Sequence, residues 1–330
     1  MNRGRPLANW RSFGPKIPRL VRYDARRGRP LANWRSFGPW IAFAAIWLAL
    51  GFAHPGALSP ANLLNILRQV SPDYILAVGA TMVIIAGGID LSPGAVLGLA
   101  GMVTGVVMPH YGMGLAIAAG IGTAVVCGAI SGGLIAWTGL WPFVATLGMM
   151  SIARGLTYAL SGGRAHSEMP EAFFLLGRGN TPILVALVLG VLAHLVLKQS
   201  AAGRKLFALG GNEQAAFLSG VPIRWVKMAV YAAAGLCTGV GAMVFTARLQ
   251  SAQVEPGIGL ELRAIAAAVI GGTSLSGGEG SVVGTLAGAL IIGTIQNALN
   301  QLQVPAFWQY TVVGSVIVAA ALLDRAVRRK

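Results

Sequence analysis

Long apolar runs separated by short polar connections set the pattern of this chain. The runs are Trp40–Ala53, Leu63–Ala86, Gly94–Met108, Gly114–Trp137, Phe143–Leu160, Ile183–Leu197, Trp225–Thr246, Arg263–Ile270, Val282–Leu299 and Phe307–Leu323. Most are long enough for helices that cross a hydrocarbon core of roughly 30 Å. The pattern therefore predicts an all-α fold, a polytopic integral membrane helix bundle of about ten crossings, with about eight as the alternative. The first run is short, and Arg263–Ile270 alone is far too short, so the first and eighth crossings are the ones that separate the two counts.

Two glycine-rich interruptions stand out against this pattern. The first, GGIDLSPG, contains Gly87, Gly88, Asp90, Ser92 and Pro93. The second, GGTSLSGG, contains Gly271, Gly272, Ser274 and Ser276. Lipid cannot satisfy a broken backbone, so such a break must be covered by protein or by a water-filled cavity. Both stretches are expected to be broken helices facing the same way, and paired interruptions in two halves point to a transport core. Ser92 followed by Pro93 predicts a helix start, with the Ser92 side chain as N-cap acceptor. Asp90 has two readings: it accepts backbone N–H groups and holds the break together, or it lines a translocation path.

Composition agrees with a membrane class. Of the residues, 55% are hydrophobic and 11% charged, and mean hydropathy is +0.69; a soluble domain carries about a quarter charged residues. Forty-six glycines suit helices packed closely through small residues. A net charge of +15 would suggest nucleic-acid binding, but position excludes that reading. The basic residues crowd the N-terminal tail, short polar loops and the C-terminus, as the positive-inside rule requires of cytoplasmic flanks.

The chain divides into a basic tail at 1–39, a transmembrane domain at 40–324 with a polar loop at 199–224, and a basic end at 325–330. Residues 3–15 and 27–39 are identical, RGRPLANWRSFGP, which reads as a local duplication rather than a solenoid. With that tail inside, about ten crossings leave both the Lys198–Lys227 cluster and the terminal Arg-Arg-Lys inside. Trp137, Trp141, Trp225 and Trp308 near run ends fit an interfacial belt.

Within the polar loop, Asn212 is a good N-cap, Glu213 suits a helix start and Gly220 can end the helix. So short a helix, carrying Ala215, Ala216 and Leu218, has little to fold against by itself, which suggests docking into a partner; an ordinary interfacial helix is the alternative. Asn297 and Asn300 share a helix face, as interhelical glue or as pore lining. Glu261 and Arg263 read as exposed caps at a span entrance, leaving Asp90 the only acidic candidate well inside the apolar runs. Cys127 and Cys237 fall in apolar segments and the four histidines are scattered, so neither a disulfide nor a metal site is expected. No P-loop, G-x-S-x-G or H-E-x-x-H pattern occurs, so no nucleotide site or hydrolase centre is expected in this chain.

These motifs, in this order, make the chain resemble the permease subunits of bacterial ABC importers for monosaccharides, the ribose/xylose/galactose type. The resemblance runs from about Asn62 to Asp324 through NLLNILRQVSPDYILAVGATMVIIAGGIDLSPG, PFVATLGMMSIARGLTY, GRKLFALGGNEQAAFLSGV and ELRAIAAAVIGGTSLSGGEGSVVGTLAGALIIGTIQNALN. It implies a non-catalytic inner-membrane subunit with cytoplasmic termini that pairs with a second permease subunit. ATP and Mg would be bound by an ABC ATP-binding subunit, and sugar would be delivered by a periplasmic sugar-binding protein. The resemblance makes Asn212–Gly220 the coupling helix that docks on the ATPase. Related permeases carry branched-chain amino acids, nucleosides or a signalling sugar derivative, and an ion-coupled secondary transporter is the competing class.

Overall fold

In the computed structural model, the described residues are 23–24, 29–30, 34–53, 55–305 and scattered positions from 307 to 322. Most of the duplicated tail and the basic C-terminus lie outside them, and the last apolar run is described only in part. Twelve helices are described: α1 (Trp34–Ala53), α2 (Pro60–Ile85), α3 (Pro93–Tyr111), α4 (Met113–Thr138), α5 (Pro142–Ser161), α6 (Glu171–Phe174), α7 (Thr181–Gln199), α8 (Ala201–Gly211), α9 (Glu213–Leu218), α10 (Ile223–Leu249), α11 (Leu260–Ile270) and α12 (Val282–Gln301). A two-residue antiparallel pairing of Tyr23–Asp24 with Arg29–Pro30 precedes them. α1 starts at Trp34, inside the second copy of the repeat.

Six of these helices are long and apolar enough to cross a membrane: α3, α4, α5, α7, α10 and α12. The fold is thus a polytopic helical membrane bundle, and the count of about ten crossings is not reproduced among the described residues. α2 has the length, at 26 residues, but carries Arg68 and Asp73. α11, at 11 residues, rises about 16 Å and reaches only halfway through a bilayer.

The bundle is built around α10, which packs along α4, α2 and α3. Glycine makes the tightest of these contacts possible. A Cβ placed on Gly239 of α10 would fall 2.9 Å from the Ile121 Cα of α4, and one on Gly132 would fall 2.9 Å from the Met228 Cα. Gly128 on α4 faces Tyr231 and Gly235 on α10, and Gly235 and Gly239 on α10 both face Ala124 on α4, the small-residue spacing that brings two backbones together in lipid. Where apolar tails offer no hydrophobic drive between helices, this van der Waals contact is what holds them.

Buried hydroxyls add polar ties. Thr81 Oγ1 on α2 and Thr285 Oγ1 on α12 lie 2.7 Å apart. Further along the same pair, Asn62 Nδ2 donates to Asn297 Oδ1 at 3.1 Å, and Gln301 Nε2 donates to both Asn297 Oδ1 (2.8 Å) and Asn62 Oδ1 (3.0 Å). Ser59 caps α2 by accepting the Asn62 N–H at 3.2 Å, with Pro60 pre-set for the first turn.

Candidate functional site

The two glycine-rich stretches are connections between helices, α2 to α3 and α11 to α12, so the expectation of broken helices is corrected. The cause is local. Gly87 takes φ +82°, its N–H donates to the Ile84 carbonyl at 2.9 Å, and the Gly88 N–H donates to the Val83 carbonyl at 3.0 Å. That pair of bonds closes α2 instead of letting it continue. Gly272 does the same at φ +90°, donating to Val269 O at 2.9 Å while the Thr273 N–H reaches Ala268 O at 2.9 Å. The echo in sequence is an echo in hydrogen bonding, but it is offset: Gly87 matches Gly272, not Gly271, which sits at φ −68°.

Asp90 follows in the first turn and is 5% exposed. Its Oδ1 accepts the Ser92 N–H at 2.9 Å and the Ser92 hydroxyl at 2.7 Å. Ser92 therefore donates to Asp90 and makes no side-chain cap bond of its own, contrary to the expected N-cap role, although Pro93 does open α3. Ser274 repeats the arrangement more weakly, its Oγ accepting the Ser276 N–H at 3.2 Å. The Leu91 N–H reaches Thr146 Oγ1 at 3.2 Å and ties this turn to α5.

The turns meet each other. The Gly278 N–H donates to the Ile85 carbonyl at 2.9 Å. The end of α8 closes over the junction: a Cβ on Gly278 would fall 2.8 Å from the Gly211 Cα, and one on Gly277 would fall 3.1 Å from the Gly87 Cα. Three backbones converge here without side chains between them.

α9 leaves from this junction. Asn212 Oδ1 accepts the Ala215 N–H at 2.9 Å, and Gly220 at φ +80° ends the helix, with the Val221 N–H bonded to Ala216 O at 3.1 Å. Both capping expectations hold. Glu213 pairs with Lys227 Nζ at 2.7 Å. Ala216 is buried at 4%, so it seats α9 on its own chain; every other α9 position is exposed, the apolar Phe217 and Leu218 at 67% and 82%. Two cavities flank this helix. One of about 800 Å³ is lined by Trp137, Glu213, Phe217, Trp225 and Lys227. The other, about 310 Å³, joins Gly87 and Gly88 to Trp141, Tyr231, Glu213 and Lys227. The α2–α3, α4–α5 and α11–α12 connections thus gather with α8 and α9 at one end of the bundle.

The amide pair is not a unit. Asn297 belongs to the buried cluster with Asn62 and Gln301, while the Asn300 Oδ1 accepts from Gln309 Nε2 at 2.9 Å. Glu261 and Arg263 are not simply exposed caps. Glu261 Oε1 accepts the Gly259 N–H at 3.2 Å, and Arg263 Nη1 lies 3.5 Å from Asp73 Oδ2. Asp73, in the middle of α2 and of the Leu63–Ala86 run, is a further acidic group inside the bundle, so Asp90 is not the only one, contrary to expectation. A nearby Arg248 donates to the Arg68 carbonyl at 3.0 Å. No group of three His, Cys, Asp or Glu able to hold a metal occurs among the described residues.

The fold defines a polytopic helical membrane protein in which three interhelical connections gather beside one short helix. Comparison with known proteins makes the assignment specific: residues 62–321 match the family described as branched-chain amino acid transport system / permease component, and the chain belongs to that family. It is 41% identical to the ribose import permease protein of Bacillus subtilis (strain 168) over 286 residues, 84% of this chain and 89% of that one. It is 38% identical over 296 residues to the D-allose transport system permease protein of Escherichia coli (strain K12), 86% and 90% of the two chains. It is 34% identical over 291 residues to the L-arabinose transport system permease protein of the same organism, 86% and 89%. No solved structure matches.

Proposed function

We propose that this chain is the translocation subunit of an ATP-driven importer for a monosaccharide. The relatives named above are permeases for ribose, allose and arabinose, and the similarity covers most of each chain. The observation that carries the mechanism is α9, a six-residue helix that buries Ala216 and presents Phe217 and Leu218 outward. A helix this short is not stable alone and is held by its caps and its seat. Its exposed apolar pair is the surface an ATP-binding subunit would cover. ATP and Mg would reside in that partner, and sugar would arrive from a periplasmic binding protein.

In this reading the α9 end of the bundle is cytoplasmic, the termini lie on the same side, and the membrane is the bacterial plasma membrane. Two permease subunits, identical or related, would enclose the path. Closure of the ATPases would push α9, and the push would pass through Gly210 and Gly211 into the turns at Gly87 and Gly278. Those turns carry the ends of α2, α3, α11 and α12, so one displacement moves helices from both halves. Such coupling needs stiff contacts, and backbone packed directly on backbone supplies them.

Co-purification tests the reading. The wild-type chain should retain an ABC ATP-binding subunit, and Leu218→Arg should lose it while inserting into membranes at normal yield. Equal retention by wild type and variant would remove α9 from the interface.

A further inference from the structure

The chemistry of one α5 face changes along its length. Residues 143, 147, 151, 154 and 158 follow the three- and four-residue steps that keep side chains on one side of a helix. Towards the α9 end the face is apolar, with Phe143 and Leu147 exposed. Towards the other end it carries Ser151, Arg154 and Tyr158.

The connection between α10 and α11 lies over this polar half. Arg154 Nη1 donates to the Pro256 carbonyl at 3.0 Å, and the Tyr158 hydroxyl bonds the Glu255 carboxylate. The connection is wedged deep against α3, since a Cβ on Gly98 would fall 3.2 Å from Pro256 Cγ. Glu255 and Tyr158 remain exposed, so the cluster is not sealed within this chain. A guanidinium and a phenol on a crossing helix, with a carboxylate laid over them from the α10–α11 connection, do not face acyl chains; such groups face a bundle interior or water.

We propose that Arg154, Tyr158 and Glu255 form a seat for a monosaccharide on the water-filled path, above an apolar constriction at Phe143 and Leu147. The inference rests on the monosaccharide reading above and places its substrate. A guanidinium has five N–H donors, of which Pro256 takes one, so donors remain for ring hydroxyls. The Glu255 carboxylate accepts from adjacent hydroxyls, and the Tyr158 ring covers an apolar C–H face. Below the seat, apolar side chains release the sugar by offering no hydrogen bonds, and an apolar constriction closes by losing its water.

The test uses the complex assembled with its ATP-binding subunit and binding protein in lipid vesicles. Native Cys127 and Cys237 are buried, so introduced thiols report alone. Tyr158→Cys and Glu255→Cys should react with a charged, membrane-impermeant methanethiosulfonate at least about tenfold faster than Ile152→Cys, which lies roughly opposite Arg154 on α5. Rates equal to that of Ile152→Cys would overturn the seat. In a second arm, Glu255→Gln and Arg154→Lys should change the ratio of D-ribose to L-arabinose uptake by about tenfold, the effect of one lost hydrogen bond to a charged group. A proportional loss of both sugars at an unchanged ratio would mark a structural role and overturn the proposal. Failure of the wild-type complex to carry any monosaccharide would instead overturn the proposed function, and the labelling rates would separate the two failures.

Discussion

The Ile85 carbonyl, the last of α2, accepts the Gly278 N–H at 2.9 Å across nearly two hundred residues of chain. One backbone hydrogen bond thereby joins the glycine-rich turns of the two halves. Gly210 packs against the same carbonyl, so the segment leading into α9 shares the contact. This three-way junction is the route by which a movement of α9 would reach the helices of the bundle.

A side chain at Gly210 has nowhere to go, because its Cβ would overlap the Ile85 carbonyl and the Gly278 nitrogen. Gly210→Ala should destabilise the purified protein by about 1–3 kcal/mol, the cost of overpacking. Thermal unfolding in detergent measures it, and an unchanged midpoint would contradict the close junction.

Ala216 and Leu218 should separate seating from docking. Ala216→Arg forces a charge into a buried seat and should reduce folded yield. Leu218→Arg adds a charge to a side chain already 82% exposed and should leave yield unchanged. Equal yields for the two, measured by size-exclusion chromatography, would contradict the seat. The Glu213–Lys227 pair is half exposed, so Glu213→Gln should cost no more than about 1 kcal/mol.

Asp73 and Arg263 are predicted to behave as a pair. Asp73→Asn leaves the partly buried Arg263 charge without its partner and should cost about 1–3 kcal/mol. Adding Arg263→Met should recover part of that loss, since it removes the charge left without a partner. A double variant no more stable than Asp73→Asn, in the same unfolding assay, would mean the two side chains act independently.

Asp90→Ala removes the acceptor of two hydrogen bonds from Ser92 and should cost about 1–3 kcal/mol. Its effect should fall on folded yield more than on which sugar is transported. Normal yield with altered sugar preference would place Asp90 on the path instead.

Much of this arrangement was legible from local signals. Asn212 and Gly220 were readable as caps because capping depends on residues within one turn. The paired turns were readable as an echo because glycine is needed where φ is positive. Broken helices were expected because an apolar run on each side of Gly87-Gly88 does not reveal that Gly87 closes α2 completely. Ser92 misled for a related reason: its hydroxyl had a stronger acceptor two residues away in Asp90. Asp73 and Arg263 sit about 190 residues apart in the chain, and only packing could show that they meet. The same holds for Arg154 against Pro256, where the partner is a backbone carbonyl that no motif marks.

In the proposed mechanism a partner ATPase drives transport through α9. Uptake of radiolabelled D-ribose or L-arabinose into vesicles containing this chain, with its binding protein, tests it directly. Uptake is expected only when the ATP-binding subunit and ATP are both present, and should be lost in Leu218→Arg. Uptake that persists without the ATPase, driven by an ion gradient alone, would contradict it.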